Sequence, residues 1–97
     1  MKVRLSKRAA RDLVEIADYV TRVNPDAARS IASASANAQR LISEHPRIGR
    51  LQKGRDLRKF VVPRYRYLIY YRVIDRDDVV AIATVRHPSR ARIASDA

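Results

Sequence analysis

The helical spacing of apolar residues that fills most of the first half of this chain gives way at His45-Pro46. Before it, Ala9, Ala10, Leu13, Ile16, Ala17, Val20 and Val23 recur three or four residues apart. Ala28, Ile31, Ala34, Ser35, Ala38, Leu41 and Ile42 then do so again. Such spacing gathers apolar side chains on one side of a helix. After the change, Leu57 to Val62, Tyr65 to Ile74 and Val79 to Arg86 read as strands, broken at Pro63-Arg64 and at Asp75-Arg76-Asp77-Asp78. A chain patterned this way lays helices against a sheet.

Local signals mark the ends of these elements. Val3 and Leu5 alternate with Lys2 and Arg4 in a short first strand, and Ser6 has the chemistry of a helix N-cap. Asn24-Pro25 stops one helix and starts the next, because Asn caps well and Pro fits the first turn. So short a connection makes the helices an antiparallel hairpin. The small-residue stretch SIASASANA lets its second helix approach a neighbour closely, and Pro46 ends that helix. Gly49 and Gly54 bracket a basic loop, RIGRLQKGR. The expected fold is α+β with order β-α-α-β-β-β: a helical hairpin on one face of a mainly antiparallel four-stranded sheet. In the long middle strand, Tyr65, Tyr67, Ile69, Tyr71 and Val73 share the face expected to meet the helices. The other face carries Leu68, Tyr70 and Ile74 with Arg66 and Arg72, which reads as a partly apolar groove rimmed by arginines.

At 97 residues the chain is expected to be one domain over residues 1–97, with a polar C-terminal tail from about residue 91. It has 0 Cys, which excludes a disulfide framework, a thiolate metal site and a cysteine nucleophile, and fits a reducing compartment. No apolar leader and no run of membrane-spanning length is present, so a cytoplasmic protein without membrane contact is expected. The net charge of +11 points to a polyanion or an acidic protein as partner. Most of the basic residues are arginine, which binds phosphate and carboxylate in a planar, bidentate way. Between Arg50 and Arg72, eight basic residues against the single acid Asp56 and four interleaved tyrosines exceed what solubility requires.

Chemistry-bearing residues are sparse. His87, between Arg86 and Pro88 and close to Arg90, has the residue type for proton transfer on a phosphodiester, but a strand-end histidine can equally brace the turn before Pro88. A second acid or base to share two proton transfers is missing: Glu15 and Glu44 lie in the helices, no Tyr follows Tyr71, and His45 abuts Pro46. Two isolated histidines make no metal site, no glycine motif for a nucleotide is present, and no cofactor is expected. Arg86, His87, Arg90 and Arg92 concentrate cationic side chains beyond the last strand, where a target-facing surface is expected.

Taken in order, the segments LSKRAARDLVEIADYV, the Ala pair after Asn24-Pro25, LISEHPRIGR, Arg58, YRYLIYYRV and VVAIATVRHPSR resemble the bacterial ParE/RelE toxin superfamily over residues 2 to about 92. The resemblance implies the toxin half of a type II toxin-antitoxin (plasmid-stabilisation) pair. The partner implied is an acidic, DNA-binding antitoxin of the ParD kind, and the groove of Arg66, Leu68, Tyr70, Arg72 and Ile74 would hold an amphipathic segment of it. ParE-like members are poisons of DNA gyrase and do not hydrolyse nucleic acid; RelE-like members cleave mRNA on the ribosome. The EHPRIGR segment and the terminal VRH are more ParE-like, so a gyrase-binding toxin is expected, with no catalytic residues of its own. A RelE-like chemistry would have to use Arg58, Arg66, Arg86 and His87.

Overall fold

The computed structural model describes residues 1–87. Strand β1 (Lys2–Leu5) leads into helices α1 (Lys7–Val23) and α2 (Pro25–Glu44), followed by β2 (Arg50–Leu51), β3 (Arg58–Val61), β4 (Leu68–Ile74), a 3₁₀ turn (Asp75–Asp77) and β5 (Val79–Arg86). The strands form one sheet in the order β1-β5-β4-β3-β2. Only β1 and β5 run parallel; the other pairs are antiparallel. This is the expected α+β architecture with one strand more than expected. The fifth strand is the two-residue β2 inside the basic loop, where Arg50 faces Lys59 and Leu51 faces Arg58. Two residues flanked by charge carry no alternation to read.

Both helix starts follow from their caps. The Ser6 hydroxyl accepts from Ala9 N–H at 2.9 Å and donates to the Ala83 carbonyl at 2.7 Å, so one side chain caps α1 and ties it to β5. Asn24 closes α1 with its N–H on Val20 O at 2.7 Å and opens α2 by accepting from Ala27 N–H at 3.3 Å, with Pro25 in the first turn. The helices pack on one face of the sheet, where Ala9, Ala38, Ile42, Val62, Tyr67, Ile69, Tyr71, Val80, Ile82 and Val85 form the core. Tyr65 and Val73 pack against that core half-buried, so the face read from alternation is the core face. Ile42 is fully enclosed, and truncating it to Ala would cost about 2–5 kcal/mol.

Strand β4 begins at Leu68, three residues later than expected. The chain between β3 and β4 reverses in a tight turn, with Arg66 N–H on Val62 O and Val62 N–H on Tyr67 O, both at 2.8 Å. Arg64 and Arg66 adopt φ of 73° and 64° there. Side chains with a Cβ reach this left-handed region at a cost of about 1–2 kcal/mol, so sequence propensity gives no hint of it.

Candidate functional site

An insertion in β5 shapes the end of the sheet. Tyr71 faces Ile82 and Tyr70 faces Thr84, leaving Ala83 as one extra residue, a β-bulge. The start of α1 satisfies the polar groups that the bulge displaces. Asp12, 13% exposed at its side chain, accepts from the Thr84 hydroxyl at 2.6 Å and from Val85 N–H at 3.0 Å, and Arg8 Nε lies 3.4 Å from its second oxygen. This knot joins residues more than 70 positions apart and fixes where β5 ends.

Just beyond it lies a groove of about 670 Å³ between α1 and the end of β5, lined by Arg11, Glu15, Tyr19 and Arg22 on one side and by Tyr67, Arg86 and His87 on the other. Arg86 stands opposite Leu68 and is half-buried; its Nε is enclosed and makes no hydrogen bond among the described residues. His87 is exposed, and its ring meets Tyr67 edge-on at 5.4 Å. Burial, and secondarily the nearby Tyr19, pushes the Tyr67 phenol above the usual tyrosine value. The turn bearing Arg64 and Arg66 borders the same end of the sheet, with the Arg64 guanidinium 5.2 Å from the centre of the Tyr65 ring. Arg90 and Arg92 lie outside the described residues.

Arg58 is placed elsewhere and differently. Its guanidinium donates to Gly49 O at 2.9 Å and to Arg47 O at 3.3 Å, clasping the loop after α2. The same loop is gripped by Tyr71, whose hydroxyl donates to Pro46 O at 2.7 Å and accepts from Gly49 N–H at 2.8 Å. A Cβ on Gly49 would sit 2.6 Å from that hydroxyl, so only glycine fits. Burial raises the Tyr71 phenol against the smaller opposing effects of the Gly49 hydrogen bond and of Arg58. Pro46, Gly49, Tyr71 and Arg58 therefore form one structural clasp, which accounts physically for the HPRIGR segment. Along the sheet, Arg58 is level with Ile82 and Arg86 with Val61. Three residue steps and two strand spacings put their backbones more than about 10 Å apart. The arrangement gathers Arg86 and His87 with Tyr67, borders them with the Arg66 turn, and leaves Arg58 out.

The groove expected on the far face of β4 also changes. Leu68 and Tyr70 lie outside the helix-side core but are 7% and 8% exposed, so they offer no open apolar floor. Arg66 sits in the turn, Arg72 is exposed, and Ile74 is half-buried at the strand's end. Among the described residues no cluster of His, Cys, Asp or Glu could hold a metal ion, and no helix is long and apolar enough to cross a membrane. Sequence reading missed Asp12, Tyr67, Gly49 and Tyr71 as positioning residues. An acid in the first helix of so basic a chain was the available hint for Asp12.

A family model, the ParE toxin of the type II toxin-antitoxin system parDE, matches residues 3–92. The chain belongs to the ParE toxin family. The Y4kP protein of Sinorhizobium fredii is 36% identical over 86 residues, covering 89% of this chain and 86% of its own. Among solved structures, the chromosomal ParDE system from P. aeruginosa superposes with a TM-score of 0.77 at 18% identity, over 90% of this toxin and 95% of that chain. The isolated E. coli RelE toxin superposes with a TM-score of 0.60 at 20% identity, over 98% and 92% of the two chains. The intact E. coli RelBE complex gives 0.58 at 19% identity, over 89% and 94%. These ParE and RelE structures share the toxin's fold.

Proposed function

We propose that this ParE-family toxin binds DNA gyrase through the end of β5, stabilises the cleaved gyrase–DNA complex, and is neutralised by an acidic antitoxin. The observation that carries the target surface is the grouping of Arg86, next to the Asp12 knot, with Arg8, Arg11, Arg22 and His87 along the α1–β5 groove. His87 flanks Arg86, and Arg90 and Arg92 follow in sequence. Separation of Arg58 from Arg86 and His87 supports binding over mRNA cleavage, since the four candidates for cleavage do not form one cluster. An acidic partner fits the charge of +11, and the ParDE and RelBE structures hold toxins of this fold in toxin-antitoxin systems.

The test runs gyrase supercoiling beside ribosome-coupled mRNA primer extension. Wild type inhibits supercoiling and leaves mRNA uncut, and His87→Gln keeps most of that inhibition. Ribosome-dependent cuts that vanish in His87→Gln, by the roughly 10²–10⁴-fold expected of a general acid or base, would instead make the chain a ribonuclease.

A further inference from the structure

The turn between β3 and β4 carries two arginines where its backbone favours glycine or asparagine. Arg64 and Arg66 sit at φ of 73° and 64°, a region that glycine enters freely and that costs a residue with a Cβ about 1–2 kcal/mol. The hydrogen bonds of the turn run through its backbone: Tyr65 N–H donates to Pro63 O at 2.9 Å, and Arg66 N–H donates to Val62 O at 2.8 Å. Neither guanidinium makes a hydrogen bond or an ion pair among the described residues. Arg64 lies over the Tyr65 ring, 5.2 Å from its centre, and both arginines are exposed. The fold alone gives no reason for arginine at these two positions, and backbone strain of this kind clusters where side chains meet a ligand.

The turn shares its end of the sheet with Arg86. Val61 faces Leu68 and Leu68 faces Arg86, so the end of β3, the start of β4 and the end of β5 are level. Residues 57–74 and 79–87 contain no Asp or Glu, so Arg64, Arg66, Arg86 and His87 meet no acid on their own strands. Across the groove, α1 contributes Glu15 and Asp18 beside Arg11 and Arg22. A polyanion is therefore directed onto the turn and the strand ends, away from the α1 wall.

We infer that the β3–β4 turn grips the phosphodiester backbone of duplex DNA through Arg64 and Arg66, adding to the gyrase-facing surface a direct contact with DNA. Guanidinium forks match phosphate oxygens in pairs and need no backbone partner. A polypeptide would find less to engage. The N–H groups of Tyr65 and Arg66 are already used, Pro63 has none, and Val61, 41% exposed, is the single exposed large apolar side chain between residues 57 and 74. The inference rests on the gyrase reading only for the source of the DNA.

The test measures binding of the full chain to a short fluorescent DNA duplex by anisotropy over a series of salt concentrations. Arg64→Gly combined with Arg66→Gly removes both guanidiniums and suits the backbone, so it should melt no lower than wild type. Losing two phosphate contacts should flatten the dependence of log Kd on log salt by nearly two, at about 0.9 for each contact. Arg64→Lys with Arg66→Lys should keep the wild-type slope, as should Arg29→Ala with Arg40→Ala on the exposed side of α2. Equal slopes for wild type and the glycine variant would overturn the inference, as would an equal flattening in the α2 variant. So would a capped polyglutamate peptide that binds wild type as tightly as the duplex does and is weakened equally in the glycine variant, which would assign the turn to a polypeptide. Calorimetry with DNA-free gyrase reads the gyrase assignment separately. The glycine variant should bind it as wild type does, and a loss there would overturn the inference by placing the turn on the gyrase protein. Wild type that fails to bind gyrase while the duplex slopes differ as expected would remove the gyrase assignment and support the DNA contact.

Discussion

The clasp around Tyr71, midway along β4, and the tip around Arg86, at the end of β5, are built on the same two strands and use the same residue types differently. At the clasp, the Tyr71 hydroxyl gives one hydrogen bond and takes another, and Arg58 spends its guanidinium on two backbone carbonyls. At the tip, the Tyr67 ring meets His87 edge-on, and the Arg86 Nε is enclosed without an acceptor among the described residues. Charge alone does not mark function in a chain this basic. An arginine whose guanidinium is spent on backbone carbonyls holds the fold, and one that lines an open groove is available to a partner.

Perturbations at the clasp and at the tip should therefore separate stability from activity. The largest effect is expected from Gly49→Ala, because the new methyl group meets the Tyr71 ring and hydroxyl at 2.6–2.8 Å. Overpacking of this kind costs about 3 kcal/mol, which for a domain this small lowers Tm by roughly 10–20 °C, as calorimetry would show. Tyr71→Phe should come next. It strands Gly49 N–H and Pro46 O at once, at about 2 kcal/mol in denaturant unfolding, while toxicity at permissive temperature persists.

Alkaline pH probes the same contrast with a smaller effect. Both Tyr67 and Tyr71 have phenols raised above the ordinary 10.0 by burial. The folded state therefore holds these protons longer than the unfolded state does. Their contribution is fully present below about pH 10 and is lost as pH rises through the folded values. Unfolding midpoints measured from pH 8 to 11 should fall above pH 10, and Tyr71→Phe should flatten that fall. The smallest stability change is expected from Arg86→Ala, with toxicity lost, because losing its half-buried stem and removing its unpaired Nε act in opposite directions. A strongly destabilised Arg86→Ala would erase the distinction between clasp and tip.

The elements themselves were legible wherever a local signal set them. Both helices and β5 run over the residues that spacing, caps and Pro46 indicate, and the core face of β4 follows from alternation. What was not legible depends on distance in sequence or on unfavourable backbone. Arg58 reads as a free cation until the fold brings the Arg47 and Gly49 carbonyls to it. Asp12 reads as a solvated helix charge until β5 returns beside it with a bulge. The left-handed Arg64 and Arg66 contradict their own propensities, so β4 reads three residues too long. Likewise, Leu68 and Tyr70 fall on the outer face as alternation requires, but alternation cannot say that they are buried there.

Gyrase-dependent cleavage of supercoiled plasmid measures the central claim most directly, with wild type and Arg86→Ala compared at matched Tm. Wild type should accumulate linear DNA in a gyrase-dependent reaction, and Arg86→Ala should leave the plasmid intact while melting with wild type. Linear DNA at equal levels from both proteins, or from neither, would contradict the assignment of the β5 end as the gyrase-binding surface.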